Sequence, residues 1–598
     1  MDRRTFSGLA LGTALVGPGM SPAWAQARTG QKVLRYAFPA GETGFDPVQV
    51  SDLYSRTVTD HIFEGLYQYD YLARPFKIRP CVAEGMPEVS DDFKVWTVRI
   101  KPGIFFADDP VFKGQRRELV AQDFAYAWRR YYDPKTKSPN YSGFKDNGIL
   151  GLEALREEAL KNKTPFDYDR PVEGLKLLDK YTLQIRLAEG RPRFLYTLAS
   201  GDVYGAVARE VVEHYGADIM AHPVGTGPFR LAQWRRSSLI VLERNPSYRE
   251  VFYDAEPSAD DAEGQASLKR FKGRRLPMID RVEVSIIEES QPRWLAFLNR
   301  QFDLAFAVPL EFANVAAPNG KLAPNLANEG VQLQRVINSD RALYYFNMDD
   351  PVVGGYTPER VALRRAIGLA TDTEREIRIV RRGQAIPAQT VVSPHVWGYD
   401  PTLKFEESDF DLARAKALLE MYGYQDLDGD GWREMPDGRP LVIEYGSQPD
   451  ALYRAFDETW KIGLTALGIK LNIKYAKWPE QLKAARAGQL QMWSLAYTSA
   501  SPDVQQGIEI LYGPAAGGQN LSRFKQPEFD EIYRRMQGLP DGPERLTLLR
   551  RAQRLVAAYQ PHIYTVHRIL TDLTHARLKG YKRPVFSKQF WHYVDLES

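Results

Sequence analysis

At Trp460–Ile473 a run with helical spacing, Trp460 to Leu467, meets Gly468 and passes directly into the alternating strand Ile469-Lys470-Leu471-Asn472-Ile473. A helix that stops on glycine and turns at once into a strand is the joint of an α/β layer, where helices fold back onto a sheet. The same alternation recurs along the chain. Val33-Leu34-Arg35-Tyr36-Ala37-Phe38 alternates as a strand, and Ser51 to Tyr67 carries helical spacing through Leu53, Val58, Ile62 and Leu66. Lys94 to Ile100 is a strand turned by Pro102-Gly103, and Gly174–Leu177 and Thr182–Leu187 form a strand pair about Asp179-Lys180. Ala121 to Arg130, Val361 to Thr371 and Asp411 to Tyr422 read as helices with one apolar face, whereas Tyr253 to Arg275, rich in Asp, Glu, Ala, Gly and Lys, reads as a surface loop. No internal repeat is evident, and 598 residues suffice for several compact units.

Arg3-Arg4-Thr5-Phe6 precedes a short apolar run that closes on Ala23-Trp24-Ala25-Gln26-Ala27, the pattern of a cleavable bacterial export signal of twin-arginine type. The second places of that pattern hold Ser7 and Gly8, where Leu and Lys are usual. The apolar segment Leu9 to Val16 is interrupted by Gly12 and followed by Pro18, far short of the roughly 20 residues that span a bilayer. Residues 1–27 are therefore expected to be removed and the mature chain to work in the periplasm. Cys81 is the only cysteine, so no internal disulfide is available even in an oxidising compartment, and a lone thiol is expected to be a buried small hydrophobe. A formal charge of +3 from 79 basic and 76 acidic side chains gives no electrostatic case for nucleic acid. The aromatic share of 12%, with 32 Tyr and 11 Trp, exceeds what a core alone asks for and suits the wall of a ligand cleft.

Motifs of chemistry are scarce. The chain has no Gly-x-Ser-x-Gly elbow, no His-Glu-x-x-His and no dinucleotide glycine fingerprint, so an exported hydrolase would depend on unpatterned carboxylates. Gly225-Thr226-Gly227-Pro228 lacks the Gly-Lys-Ser/Thr of a phosphate cradle, and Pro228 removes a donor, which leaves a structural turn. Asp426, Asp428 and Asp430, Gly431 at the sixth place and Asp437 at the twelfth match a calcium loop. Asp437 stands where a bidentate Glu is usual and Pro436 precedes it, so a solvated turn is the competing reading. With 8 scattered His no nickel-type ligand set can be drawn, and no cofactor is expected.

Several stretches resemble the large periplasmic solute-binding proteins of peptide-type ABC importers, the family of oligopeptide-, dipeptide- and nickel-binding proteins. Phe45-Asp46-Pro47, Ile62-Phe63-Glu64-Gly65-Leu66-Tyr67, Trp96 to Phe106 with Ala121-Gln122-Asp123-Phe124, Pro223 to Phe229 and Phe302-Asp303-Leu304 follow that family's order. Phe346-Asn347, Val361 to Asp372, Gly383-Gln384-Ala385, Ala413 to Tyr424 and Asn520 to Asp530 continue it, so the resemblance spans roughly residues 31 to 565. Trp96, Phe105 and Phe106 read as core of the small domain rather than as ligand contacts.

The resemblance implies an α/β periplasmic-binding-protein fold of two lobes with hinge segments and an extra small domain inserted in the first lobe. Lobe I is placed at 28–75, 190–335 and 560–598, the insert at 76–189 and lobe II at 336–559. It implies a binder rather than an enzyme: the lobes close on a small-molecule or peptide ligand, and the closed form docks on an ABC transporter permease in the inner membrane. A monomer is expected, since no long apolar stripe is left over. The family's cleft maps onto Glu64, Gly65, Leu66 and Tyr67 on one wall, whose strand pairs with an extended ligand, and onto Trp493, Ser494, Leu495, Ala496 and Tyr497 on the other. In the oligopeptide and dipeptide binders the place of Ala496 holds an aspartate that meets the peptide's ammonium. A methyl group cannot neutralise a buried ammonium, so a ligand without a free amine fits better unless another acid, such as Asp503, takes that role. Arg341, beside Tyr344 and Tyr345, is a candidate either for a ligand carboxylate or for a salt bridge at the hinge.

Overall fold

The computed structural model describes residues 30–405 and 409–597; the export signal expected at 1–27 lies outside them. Two large mixed sheets dominate. The first has eight strands, in the order Gln332–Ile337, Val566–Thr574, Leu304–Ala305, Val33–Phe38, Arg281–Ile286, Leu239–Arg244 and Phe229–Arg235, with Ala385–Pro387 also paired to Val566–Thr574. Val33–Phe38 runs parallel to Arg281–Ile286 and to Leu304, and the remaining pairs are antiparallel. The second sheet orders Lys470–Tyr475, Val442–Ser447, Met492–Thr498, Asp340–Phe346 and His562–Tyr564. A four-stranded antiparallel sheet, Glu88–Val89, Val95–Arg99, Thr182–Arg186 and Leu175–Leu177, forms a smaller unit. Among the described residues no helix is long and apolar enough to cross a membrane.

The chain leaves the first sheet at Ile337 and enters the second at Asp340; it returns from Tyr564 to Val566 across the single residue Thr565. These two crossings are tied together by Asp340, which is fully buried. Its carboxylate accepts from the Arg568 backbone N–H (3.0 Å), the Arg568 Nε–H (2.6 Å) and Asn338 Nδ2 (2.7 Å).

Local chemistry explains most element ends. Asp52 caps Leu53–Ile62 by accepting from the Ser55 N–H at 2.8 Å, and Asp450 caps Ala451–Ala466 through the Tyr453 N–H at 3.0 Å. The second helix thus begins nine residues before the apolar run at Trp460 that marks it in sequence. Two readings need correction. The helix expected over 51–67 ends at Ile62, because a Cβ on Gly65 would lie 2.8 Å from the Leu198 carbonyl oxygen and the chain must pass that point extended. The loop expected over 253–275 contains the helix Ala262–Phe271, capped by Asp261 and anchored by fully buried Phe271. Trp96 and Phe106 are core as read, while Phe105 is half-buried with the Arg116 guanidinium 3.7 Å from its ring centre.

Candidate ligand-binding site

The helix Leu53–Ile62 packs against the short helix Gly201–Tyr204 through glycines. A Cβ on Gly201 would come within 2.5 Å of the Gly65 backbone nitrogen, so only glycine lets the two segments approach this closely. The approach sets Arg56 beside Asp202, with Nε to Oδ2 at 2.7 Å, and Lys588 from the C-terminal segment reaches the same carboxylate at 2.9 Å. Burial alone would raise the Asp202 carboxyl, but Arg56 and Lys588 more than offset it and hold it below the usual range. Asp60, one helical turn beyond Arg56, is 6% exposed and accepts from the Lys588 backbone N–H (2.9 Å) and Gln589 Nε2 (3.2 Å). The end of that helix is fixed by the Gly225-Thr226-Gly227-Pro228 turn. Gly227 N–H donates to the Ile62 carbonyl at 2.8 Å, and a Cβ on Gly225 would sit 2.0 Å from that oxygen.

These groups line a cavity of about 420 Å³. One wall comes from Arg56, Asp60, Gln68, Tyr69, Tyr196, Asp202, Tyr204 and Lys588, and the opposite wall from Ala500, Ser501, Gln506 and Gln519, which follow the second sheet's Met492–Thr498 strand. The cavity therefore lies between the lobes and is polar, with aromatic flanks.

Arg193 spans the two sides. It precedes the helix Phe194–Leu198, whose Phe194 ring packs edge-on at 5.6 Å from Trp96 of the smaller sheet. Its guanidinium donates to the carbonyls of Leu539 (2.5 Å), Gln537 (2.6 Å) and Met536 (3.1 Å) at the C-terminus of Pro527–Gly538, and its Nε lies 3.2 Å from Asp503. Asp503 also pairs with the buried Arg545 at 2.6 Å. It is thus already neutralised by two arginines and is not placed to serve a ligand ammonium.

The residues singled out in sequence fall around this cavity rather than on it. Glu64, Leu66 and Tyr67 are buried. Glu64 pairs with Arg249 at 2.7 Å and accepts from the Thr226 hydroxyl at 2.8 Å, while burial pushes the neighbouring Cys81 thiol up. Glu64-Gly65-Leu66 is not a strand; the strand is Tyr67–Tyr69, and its Gln68 and Tyr69 reach the cavity. Trp493 and Tyr345 are core, their rings 6.5 Å apart, and neither the Trp493 indole N–H nor the Tyr345 hydroxyl has a partner among the described residues. Ser494 meets the Tyr445 hydroxyl at 2.7 Å, Leu495 is half-buried, and Ala496 is exposed opposite Ala342. Tyr497 leans toward Gln519 of the cavity wall, its hydroxyl 3.5 Å from the Gln519 carbonyl. Arg341 is 2% exposed and donates to Ser393 Oγ (3.2 Å) and the Gly507 carbonyl (2.8 Å); among the described residues it makes no ion pair, and the hinge salt bridge belongs to Arg568 instead.

The calcium pattern is also rearranged. Asp426, Asp428 and Glu434 converge, with one oxygen of each within 4.8 Å of the others. Asp430 turns to the Trp432 N–H at 2.8 Å, and Asp437 pairs with Arg439 at 2.7 Å. Asp426 spends both oxygens on the N–H groups of Gly429 and Gly431, which makes the segment a self-capped exposed turn. Of the cavity residues, Arg56, Asp60, Arg193, Asp202 and Lys588 were not legible as a set in sequence. Only Arg56 and Asp60 carry a local signal, as charges on the helix that also carries Val58 and Ile62.

The profile of the family described as bacterial extracellular solute-binding proteins, family 5 middle, matches residues 77–519, about three quarters of the chain. Di/tripeptide-binding protein 2 of Pseudomonas aeruginosa strain UCBPP-PA14 is 24% identical over 576 residues, which cover 95% of this chain and 95% of that protein. Heme-binding protein A of Haemophilus influenzae is 23% identical over 530 residues, covering 87% and 84%. The ABC transporter-associated periplasmic binding protein DppA from Helicobacter pylori, solved in complex with the peptide STSA, shares the fold with a TM-score of 0.70 at 22% identity, covering 95% of this chain and 98% of that one.

Proposed function

This chain belongs to the family 5 bacterial extracellular solute-binding proteins, and from that premise we propose that it captures a peptide-like or other amphiphilic small molecule in the cavity between its lobes and delivers it to an inner-membrane ABC permease. Its work is binding without chemistry, as a periplasmic monomer divided at 28–75, 76–189, 190–335, 336–559 and 560–598. One observation carries the reading: a polar cavity walled from both lobes, next to an arginine that bonds one lobe to the other. Closing such a cavity removes the solute from water, so its polar groups must find partners on both walls. The relatives bracket the solute class, since one is named for di- and tripeptides and another for haem.

The test is native mass spectrometry of the purified protein, followed by denaturation and identification of what is released. Intact peptides are expected. A chemically altered compound would point to an enzyme, and a single intact non-peptide would keep the binding function while moving the solute class.

A further inference from the structure

We infer that Asp60 is the acceptor for a cationic group of the solute, so that this cavity selects molecules bearing an ammonium or guanidinium. The inference rests on the reading of the interlobe cavity as the solute site and names what that site recognises.

Charge pairing inside the molecule leaves few buried carboxylates without an ion pair among the described residues: Glu42, which accepts from the Trp234 indole and the Ser237 N–H away from the cavity, and two aspartates. Asp46, Asp70, Asp123, Asp202, Asp303, Asp340, Asp572 and Asp595 are buried, and each forms an ion pair with an arginine or lysine. Among the described residues only two buried aspartates make none, Asp60 and Asp457. Asp457 faces the Ser447 hydroxyl at 2.8 Å behind the second sheet. Asp60 faces the cavity. A carboxylate held out of water without an ion pair is costly, and a cation carried in by a ligand would offset that cost.

The groups around Asp60 supply a counter-charge only in part: Arg56 and Lys588 act on it through space, and among the described residues neither forms an ion pair with it. Arg56, on the same helix, and the Lys588 ammonium, on the C-terminal segment, are both committed to Asp202 of the neighbouring helix. Arg193, across the cavity, is committed to Asp503 and the carbonyls of the other lobe. Among the described residues only neutral N–H donors hydrogen-bond to the Asp60 carboxylate, from Lys588 and Gln589, and an ionised carboxylate offers about four acceptor positions. Tyr69, Tyr196 and Tyr204 complete the surroundings with rings that tolerate a cation.

The test is a binding panel on the purified protein: di-, tri- and tetra-alanine, n-butylamine and n-butylguanidine, each against its acylated counterpart, followed by thermal shift and calorimetry. Asp60→Asn keeps the shape of the side chain, and Asp457→Asn controls for loss of an unpaired buried acid elsewhere. The expected result is that cationic probes bind at least 10-fold tighter than their acylated partners, that Asp60→Asn erases this preference, and that Asp457→Asn retains it. Equal binding of both forms, survival of the preference in Asp60→Asn, or no binding by any cationic probe overturns the assignment. Failure of the alanine peptides in both forms, with the amine preference intact, would instead count against the peptide reading alone.

Discussion

The Asp60 carboxyl is raised from an ordinary 3.8 to about 6, by burial first and then by the neighbouring Asp202 carboxylate. The folded protein therefore holds a proton there that the unfolded chain gives up. The stability this contributes is present below about pH 4 and is lost as pH rises through about 6. Asp60→Asn should raise the melting temperature of the solute-free protein at pH 7.5, by the equivalent of about 1–3 kcal/mol, with the gap to wild type closing toward pH 4. Differential scanning calorimetry across that range checks it, and a variant less stable than wild type at pH 7.5 would contradict it. The trade is the usual one at a binding site, where a group that costs stability alone is useful with its ligand. At this scale sequence was a partial guide. Ala496 could be seen to lack a charge, but Asp60 could not be seen to have one unpaired, because that depends on Asp202 and Lys588 being placed beside it and on each other.

A helix end helps to join the lobes. Pro527–Gly538 presents its last carbonyls to Arg193, which supplies a cation where the helix dipole and the unsatisfied oxygens both favour one. Arg193→Gln should leave each lobe folded but weaken solute binding by roughly 10- to 100-fold, mainly through faster release, as the closed arrangement loses about 1–3 kcal/mol. Stopped-flow release of a bound solute measures this directly; an unchanged off-rate would show that Arg193 does not hold the lobes together. Local sequence marked the α/β step at Gly468, the strand Val33–Phe38 and the helix Ala121–Arg129 well, because period and stop signal agree there. It missed Ala262–Phe271, whose composition is that of a loop and whose helix depends on the Asp261 cap and on burial of Phe271.

The two large sheets are joined by chain crossings that include 338–339 and 565, with Asp340 bonded across these two. A ligand can shift an open–closed balance only by binding one state better, and a cavity with walls from both lobes does so by construction. Solution scattering should show the radius of gyration falling when solute is added to the emptied protein and rising again in Arg193→Gln; an unchanged radius would argue against hinge closure. What the sequence determined by itself was the α/β class, the order of family motifs from about 31 to 565 and the scarcity of catalytic patterns, since these depend on short-range periodicity and on residue type. Only the tertiary structure decided which residues line the cavity between the lobes. The cavity is assembled from segments as distant as Arg56, Asp202 and Lys588, and the close glycine contact of Gly65 with Gly201 that brings two of them together leaves no periodic trace in the chain.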